Sequence, residues 1–152
     1  MIRAVVDTSV LVPSVLRRDL QQAAQFKAYV GIWSPWIIAE LNRVLVWKWI
    51  KDRGHDAASE RECSRQAKLM MSILLPSFEL VSPLPPYPPA WESLADQWDH
   101  PIWAAARECN ADYVVSENTT DFPAADSHGR HVFGGIEYIP GRAFLERIED
   151  SL

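Results

Sequence analysis

Short apolar runs alternate with helical patterns along this chain, and that alternation restricts the fold more than any other feature. The first run, residues 3–7, predicts a β-strand that ends on Asp7. Four further runs predict strands at residues 31–34, 78–81, 112–116 and 136–139. Because strands that alternate with helices form a parallel sheet covered on both faces, we predict an α/β fold. The predicted sheet is five-stranded and mostly parallel, with helices flanking both faces.

Capping residues and apolar spacing predict where the helices begin. Five starts are predicted, at Asp19, Ser34, Ser59, Trp91 and Arg142. The second has Ser at the N-cap and Pro at the first helical position, and Gly54 ends it. The third opens with Ser-Glu-Arg-Glu, which has the form of a capping box. The fourth is in two pieces if Pro101 opens a second helix, and the fifth runs to Leu152.

The length of 152 residues predicts one domain that covers positions 1–152. No apolar stretch approaches the roughly 20 residues of a membrane span. The N-terminal apolar run contains Asp7 and therefore does not read as a signal peptide. We accordingly expect a cytoplasmic protein with no membrane partner.

The net charge of −5 argues against a protein that binds nucleic acid through bulk charge alone. Basic residues are nevertheless concentrated in one region, residues 43–68. Two interpretations stay open for it: solvated helix faces, or a rim that contacts phosphates beside an acidic pocket. In the second interpretation the candidate contacts are Arg43, Lys48 and Arg65.

Three carboxylates are predicted at one end of the sheet. Asp7 follows the first strand, Glu40 lies in the second turn of the helix after the second strand, and Asp99 precedes the helix that leads into the fourth. Two such charges about 4 Å apart repel by about 1 kcal/mol in water and about 4 kcal/mol at an effective dielectric of 20. A divalent cation removes that conflict, and oxygen ligands suit Mg²⁺ or Mn²⁺. Such a site can activate water and orient a phosphodiester.

Several stretches together carry a resemblance to a known family. They are Val5 to Leu11, Ser34-Pro35 through Glu40-Leu41, Asp96 to Ala106, Ala111 to Pro123, and Ile136 to Leu145. In this order the chain resembles the PIN-domain ribonuclease family. The resemblance implies an Mg²⁺- or Mn²⁺-dependent nuclease acting on RNA. It also implies a toxin of a bacterial toxin–antitoxin pair, with a small antitoxin protein as its partner.

The resemblance also assigns roles to individual residues. Asp7, Glu40 and Asp99 match the three acids that hold the metal and carry catalysis. Five supporting residues are Ser9, Asp96, Ser116, Asn118 and Asp121. The fourth acid expected in the family falls on Asn118, which can ligate only through its carbonyl or through a water. Asp121 or Glu117 could substitute for it.

Two competing functions are open at this stage. A PIN-like domain that no longer cleaves could serve as an RNA-binding or protein-interaction module, and Asn118 favours that possibility. A phosphatase of the haloacid-dehalogenase type also places Asp at the end of its first strand. It requires a second Asp two residues further on, where this chain has Ser9.

Seven tryptophans are many for a chain of this length. Core or dimer packing and base stacking are both open to them. Trp47 and Trp49 cannot both face the same core from one helix, so one of them is expected to be exposed or in an interface. The excess of aromatic residues leads us to expect a homodimer.

Overall fold

Six strands form one sheet in this computed structural model, which describes residues 1–150. They are β1 (Arg3–Val6), β2 (Val30–Trp33), β3 (Phe78–Leu80), β4 (Tyr113–Val115), β5 (His131–Phe133) and β6 (Ile136–Ile139). Their order is β3-β2-β1-β4-β6-β5, and every neighbouring pair is parallel except β5 and β6. Helices flank the sheet, so the predicted α/β fold is confirmed. The predicted number of five strands is wrong.

The additional strand is β5, which pairs with β6 as an antiparallel hairpin. Gly134 and Gly135 connect the two strands with φ values of 57° and 81°. Positive φ at two consecutive positions is the conformation that favours glycine in two-residue hairpins. The Gly-Gly pair was therefore a usable hairpin signal. The strand before it has only three residues, too few to show an alternating pattern.

Six α-helices connect or follow the strands. They are α1 (Thr8–Leu11), α2 (Ser14–Gln25), α3 (Pro35–Arg53), α4 (Ala57–Leu74), α5 (His100–Glu108) and α6 (Gly141–Glu149). The predicted limits of α3 are confirmed: Ser34 Oγ accepts a hydrogen bond from the Ile37 amide at 3.3 Å, and Gly54 is the C-cap. The last two positions of the predicted C-terminal helix, and of the predicted domain, lie outside the described residues.

Three predicted helix starts are wrong. The first long helix starts at Ser14, after Pro13, and not at Asp19. The start of α4 is capped by Asp56, whose Oδ1 accepts from the Ala58 and Ser59 amides at 3.0 and 2.9 Å, so the capping box at Ser59 is not used.

The helix predicted from Trp91 is reduced to α5, and residues 91–99 form turns. Two indole groups hold this segment and the proline-rich stretch before it. Trp91 Nε1 donates to the Asp121 carbonyl at 3.2 Å, and Trp103 Nε1 donates to the Pro89 carbonyl at 3.1 Å. These contacts attach Trp91 and Pro89 to distant parts of the chain.

The sheet changes winding direction between its two central strands. From β1 the chain proceeds to β2 and β3 on one side, and it then returns to β4 on the other side of β1. Residues Ala4 to Val6 of β1 and Val114 to Val115 of β4 have no exposed surface. In open parallel sheets, ligands bind outside the carboxyl ends of the strands at such a switch point. The residues that follow β1 and β4 are therefore the first place to look for a site.

A buried glutamate joins the hairpin to the C-terminal helix. Glu137 accepts from Arg130 Nε at 3.0 Å and from Arg147 Nη1 at 3.3 Å, and its side chain is 6% exposed.

Glu137→Gln is expected to lower the free energy of unfolding by about 2 kcal/mol, because two charge-assisted hydrogen bonds lose their anion. Urea denaturation measures the change, with exposed Glu108→Gln as the control. Equal stability of the two variants would contradict this role.

Within the described part of the chain, no helix has both the length and the apolar character needed to cross a bilayer.

Candidate active site

A small recess opens at the carboxyl ends of β1 and β4. Three acids line it together with two polar and five apolar residues: Asp7, Asp99, Asp121, Ser116, Asn118, Leu94, Ile102, Val114, Phe122 and Tyr138. The recess lies at the switch point of the sheet. Four further residues that the sequence analysis assigned to the site lie in its wall beside Asp7. They are Asp99, Ser116, Asn118 and Asp121.

Asp7 is held in one orientation by two serine hydroxyls. Its carboxylate makes no capping hydrogen bond to α1, although Asp7 is the N-cap residue. Instead, Oδ2 accepts from Ser9 Oγ at 2.8 Å and from Ser116 Oγ at 2.9 Å. The same hydroxyls accept from the amides of Glu117 (2.9 Å) and Asn118 (3.1 Å), so both hydroxyl protons are directed at Asp7. The side chain is thus oriented as an acceptor, and only 8% of Asp7 is exposed.

Glu40 lies in the second turn of α3 and contacts the segment that follows β1. Its Oε2 accepts from Thr8 Oγ1 at 2.8 Å. Burial raises the pKa of Glu40, and the negative charges of Asp7 and Asp96 raise it further, while the Thr8 hydrogen bond and Arg43 act in the opposite direction. Glu40 therefore lies within the electrostatic reach of Asp7, although it does not line the recess itself.

Asp99 carries the largest electrostatic conflict of the site. Burial, followed by the neighbouring Asp121 and the charges of Asp96 and Asp7, raises the pKa of Asp99 to about 7. Its side chain makes no capping hydrogen bond to α5. Among the described residues its buried Oδ2 atom has no hydrogen-bond partner. An unpaired carboxylate oxygen beside other carboxylates is the arrangement that a bound cation relieves.

Asn118 contacts the acid that the structure places beside Asp99. Its Nδ2 donates to Asp121 Oδ2, and its Oδ1 accepts from Thr120 Oγ1 at 3.2 Å. Both ends of the Asn118 amide are therefore engaged. The neighbouring carboxylate that raises the pKa of Asp99 most belongs to Asp121. Asp121 lies three residues beyond position 118, where the family resemblance expects an acid.

The donor set fits a hard divalent cation in its chemistry. Asp7, Asp99 and Asp121 present only oxygen ligands to the recess, and such ligands suit Mg²⁺ and Mn²⁺. In this arrangement of side chains, no three His, Cys, Asp or Glu residues of positions 1–150 converge as a complete ligand group. The unpaired Asp99 Oδ2 is the specific atom that favours a cation there.

The three basic residues predicted as nucleic-acid contacts differ in their surroundings. Arg43 is exposed on α3 and close enough to Glu40 to lower its pKa. Lys48 is exposed further along the same helix. Arg65 lies on α4, where its guanidinium is paired with Glu62 at 2.6 and 2.9 Å. Arg43 and Lys48 each line a groove together with Trp47 and His55, whereas Arg65 lines neither of these two grooves.

Sequence reasoning missed Thr8, which joins Glu40 to the segment after β1. The signal was present, because Thr8 is part of a polar triplet, Asp7-Thr8-Ser9, placed directly after an apolar strand. In the structure, Thr8 contacts Glu40 of α3. Ser9 contacts Asp7, which follows β1, and Ser116, which follows β4.

Fold and site together define an α/β protein with an acidic recess at the switch point of its sheet. The sequence profile of the PIN domain matches residues 3–120, which is most of the chain. The protein belongs to the PIN-domain family. PIN domains are typically nucleases, that is, hydrolases that act on nucleic acids, and they generally use divalent metal ions. A comparison with curated proteins gives no match.

Proposed function

We propose that this protein is a metal-dependent endoribonuclease that hydrolyses RNA phosphodiester bonds with Mg²⁺ or Mn²⁺. The observation that supports the proposal most directly is that Asp7, Asp99 and Asp121 line one recess at the switch point of a PIN-domain sheet. RNA as the substrate follows from the resemblance of the chain to PIN-domain ribonucleases.

In this proposal, Asp7 and Asp99 hold the metal within the recess, Asp121 lies beside them as the fourth acid, and Glu40 completes the set from α3. A divalent cation in such a site neutralises developing charge and lowers the pKa of water. Ser9 and Ser116 orient the Asp7 carboxylate, since each directs its hydroxyl proton to Oδ2.

Apolar side chains form the opposite wall of the recess. Leu94, Ile102 and Tyr138 are each at most 6% exposed. They exclude bulk water on that side, which strengthens the interaction between the carboxylates and any bound charge. Asn118 holds Asp121 through its amide and is a positioning residue in this scheme.

The wider biological role in the proposal is that of a toxin whose partner is a small antitoxin protein. Such a toxin acts in the cytoplasm, where its RNA substrate lies. We also propose a single domain over residues 1–152 and a homodimer. Three exposed apolar side chains, Leu69 and Ile73 on α4 and Leu80 on the edge strand β3, each 50–58% exposed, support association with a second copy.

A second candidate function is a PIN-like module that binds RNA or protein without cleaving it. Asn118 in place of an acid favours it, as does the incomplete convergence of the acids among residues 1–150. The two candidates differ in one measurable property, which is turnover in the presence of metal.

Metal-dependent cleavage of a labelled RNA tests the proposal. We expect cleavage with Mn²⁺ or Mg²⁺, loss of cleavage with excess EDTA, and its return when Mn²⁺ is restored, because the acids alone cannot activate water. Denaturing gels measure the products, and calorimetry measures Mn²⁺ binding. Cleavage that persists in EDTA contradicts a metal-dependent site. Mn²⁺ binding without any cleavage indicates the non-cleaving module.

A further inference from the structure

Two tryptophans stack on each other at the edge of the acidic site. The rings of Trp36 and Trp98 have centroids 5.3 Å apart and planes inclined by only 21°. Trp98 directly precedes Asp99 in the chain, and Trp36 lies one helical turn before Glu40 on α3. The stacked pair is therefore attached to two of the segments that carry acids of the site.

Trp98 leaves 57% of its surface in solvent although it is held by a second ring. An indole of this size normally contributes much more free energy when it is buried. Stacking on the half-buried Trp36 orders Trp98 without covering it. The result is a flat, oriented aromatic surface that is available to a ligand.

A line of side chains continues from this surface along α3. Positions 36, 40, 43 and 47 are spaced by four, three and four residues, which places them on one face of the helix. The line carries Trp36, Glu40, Arg43 and Trp47 in that order. At 1.5 Å per residue, the two tryptophans are about 16 Å apart along the axis.

The outer end of the line is a second aromatic position. Trp47 is 60% exposed, as expected for one of the pair Trp47 and Trp49, and it contacts the His55 ring edge-on at 6.4 Å between centroids. Arg43, Trp47 and His55 line an open groove between α3 and α4. Lys48 and Lys51 are exposed beside it.

We infer that Trp98 and Trp47 are base-stacking positions for the RNA, with one base on Trp98 beside the acidic site and another on Trp47, so that the strand follows this face of α3. Arg43 contacts a phosphate between the two bases. The inference rests on the proposed function, because it names binding residues for the substrate of the same site. Exposed aromatic rings that alternate with cations are the surface that binds single strands, whereas the bases of a duplex stack on each other and do not reach such rings.

Binding measured in EDTA tests the inference separately from cleavage. The probe is a fluorescent oligouridine RNA of about 12 nucleotides, within the usual site size of single-strand binding proteins. Trp98→Ala is expected to weaken binding about ten-fold, and Trp98→Phe is expected to recover most of the loss because it keeps a ring. A labelled RNA duplex of the same length is expected to bind weakly to every variant.

Phe26→Ala is the matched control. Phe26 is also an exposed aromatic residue, at 84%, but it follows α2, where the chain has returned to the opposite end of the sheet. Its replacement is expected to leave RNA affinity unchanged. Trp98→Ala should also keep the wild-type rise in melting temperature with Mn²⁺, which shows that Asp99 is still in place.

RNAs with a single abasic nucleotide identify the stacked base. Wild type is expected to lose affinity when the missing base is the one that contacts Trp98, and Trp98→Ala is expected to be insensitive at that position. Equal affinity of wild type and Trp98→Ala for the intact strand overturns the inference. Equal weakening by Trp98→Ala and Trp98→Phe overturns it as well. Tight, Trp98-dependent binding without cleavage in Mn²⁺ contradicts only the nuclease proposal.

Discussion

Asp7→Asn is expected to reduce metal-dependent RNA cleavage by at least about 100-fold, since even residues that only support metal ligands contribute 10- to 100-fold. The substitution removes one negative charge and leaves the size of the side chain unchanged. Both serine hydroxyls can still donate to the remaining carbonyl oxygen, so the recess keeps its shape. The loss is therefore attributable to the missing charge, which a divalent cation requires. Initial rates on a labelled RNA measure the effect.

Asp52→Asn is the matched control for Asp7→Asn. Asp52 is an exposed acid near the end of α3, and its replacement makes the same change in net charge. It is expected to cleave as wild type does. If Asp7→Asn folds normally and cleaves at the wild-type rate, Asp7 has no part in catalysis.

Asp99→Asn is expected to have opposite effects on stability without and with metal. In metal-free buffer at pH 8 it should raise the free energy of unfolding by about 1 kcal/mol, because it removes a repelling charge from beside Asp121. In wild type, Mn²⁺ should raise the melting temperature, because it binds the folded state alone. In the variant, that rise should disappear along with cleavage.

The pH dependence of the Asp99 effect has a defined sign. The pKa of Asp99 is raised to about 7 in the folded protein, above the 3.8 of an unperturbed aspartate. The folded state therefore binds more protons than the unfolded state between these values, and wild type loses stability as the pH rises through that window. Asp99→Asn has no carboxylate at this position, so it does not lose stability in this way. In metal-free buffer, the free energy of unfolding of the variant should therefore exceed that of wild type by less at pH 5 than at pH 8. Calorimetry at both pH values measures it. A variant less stable than wild type at pH 8 would contradict the repulsion.

Much of the sheet end that carries the site was predictable from local patterns. The apolar run ending on Asp7 located the end of β1, and Ser34 with Gly54 located α3 and hence Glu40. The alternation of strands and helices predicted parallel pairing, and parallel pairing brings strand ends to one edge. These features depend on residues that are adjacent in the sequence. At this range, the conformational preferences of individual residues are strong.

The remaining features depend on contacts between distant segments. Residues 91–99 have a helical pattern but form turns, because Trp91 binds the backbone at Asp121. The segment after β4 places Asp121 next to Asp99, and the spacing of these residues in the sequence does not reveal that they are close. Strand β5 was missed because it has only three residues and forms through its pairing with β6.

The acids of the recess come from widely separated parts of the chain, and this has a consequence for synthesis of the protein. Asp7 and Ser116 are 109 positions apart, and Asp121 comes later still. A ribosome translates the first strands long before it reaches β4, so the nascent chain lacks two of the three recess acids until Asp99 has been made. Parallel pairing of such distant strands is also slow compared with local folding. We therefore expect a growing polypeptide to be harmless to the messenger RNA that encodes it, and nuclease activity to begin only after Asp121 has been made.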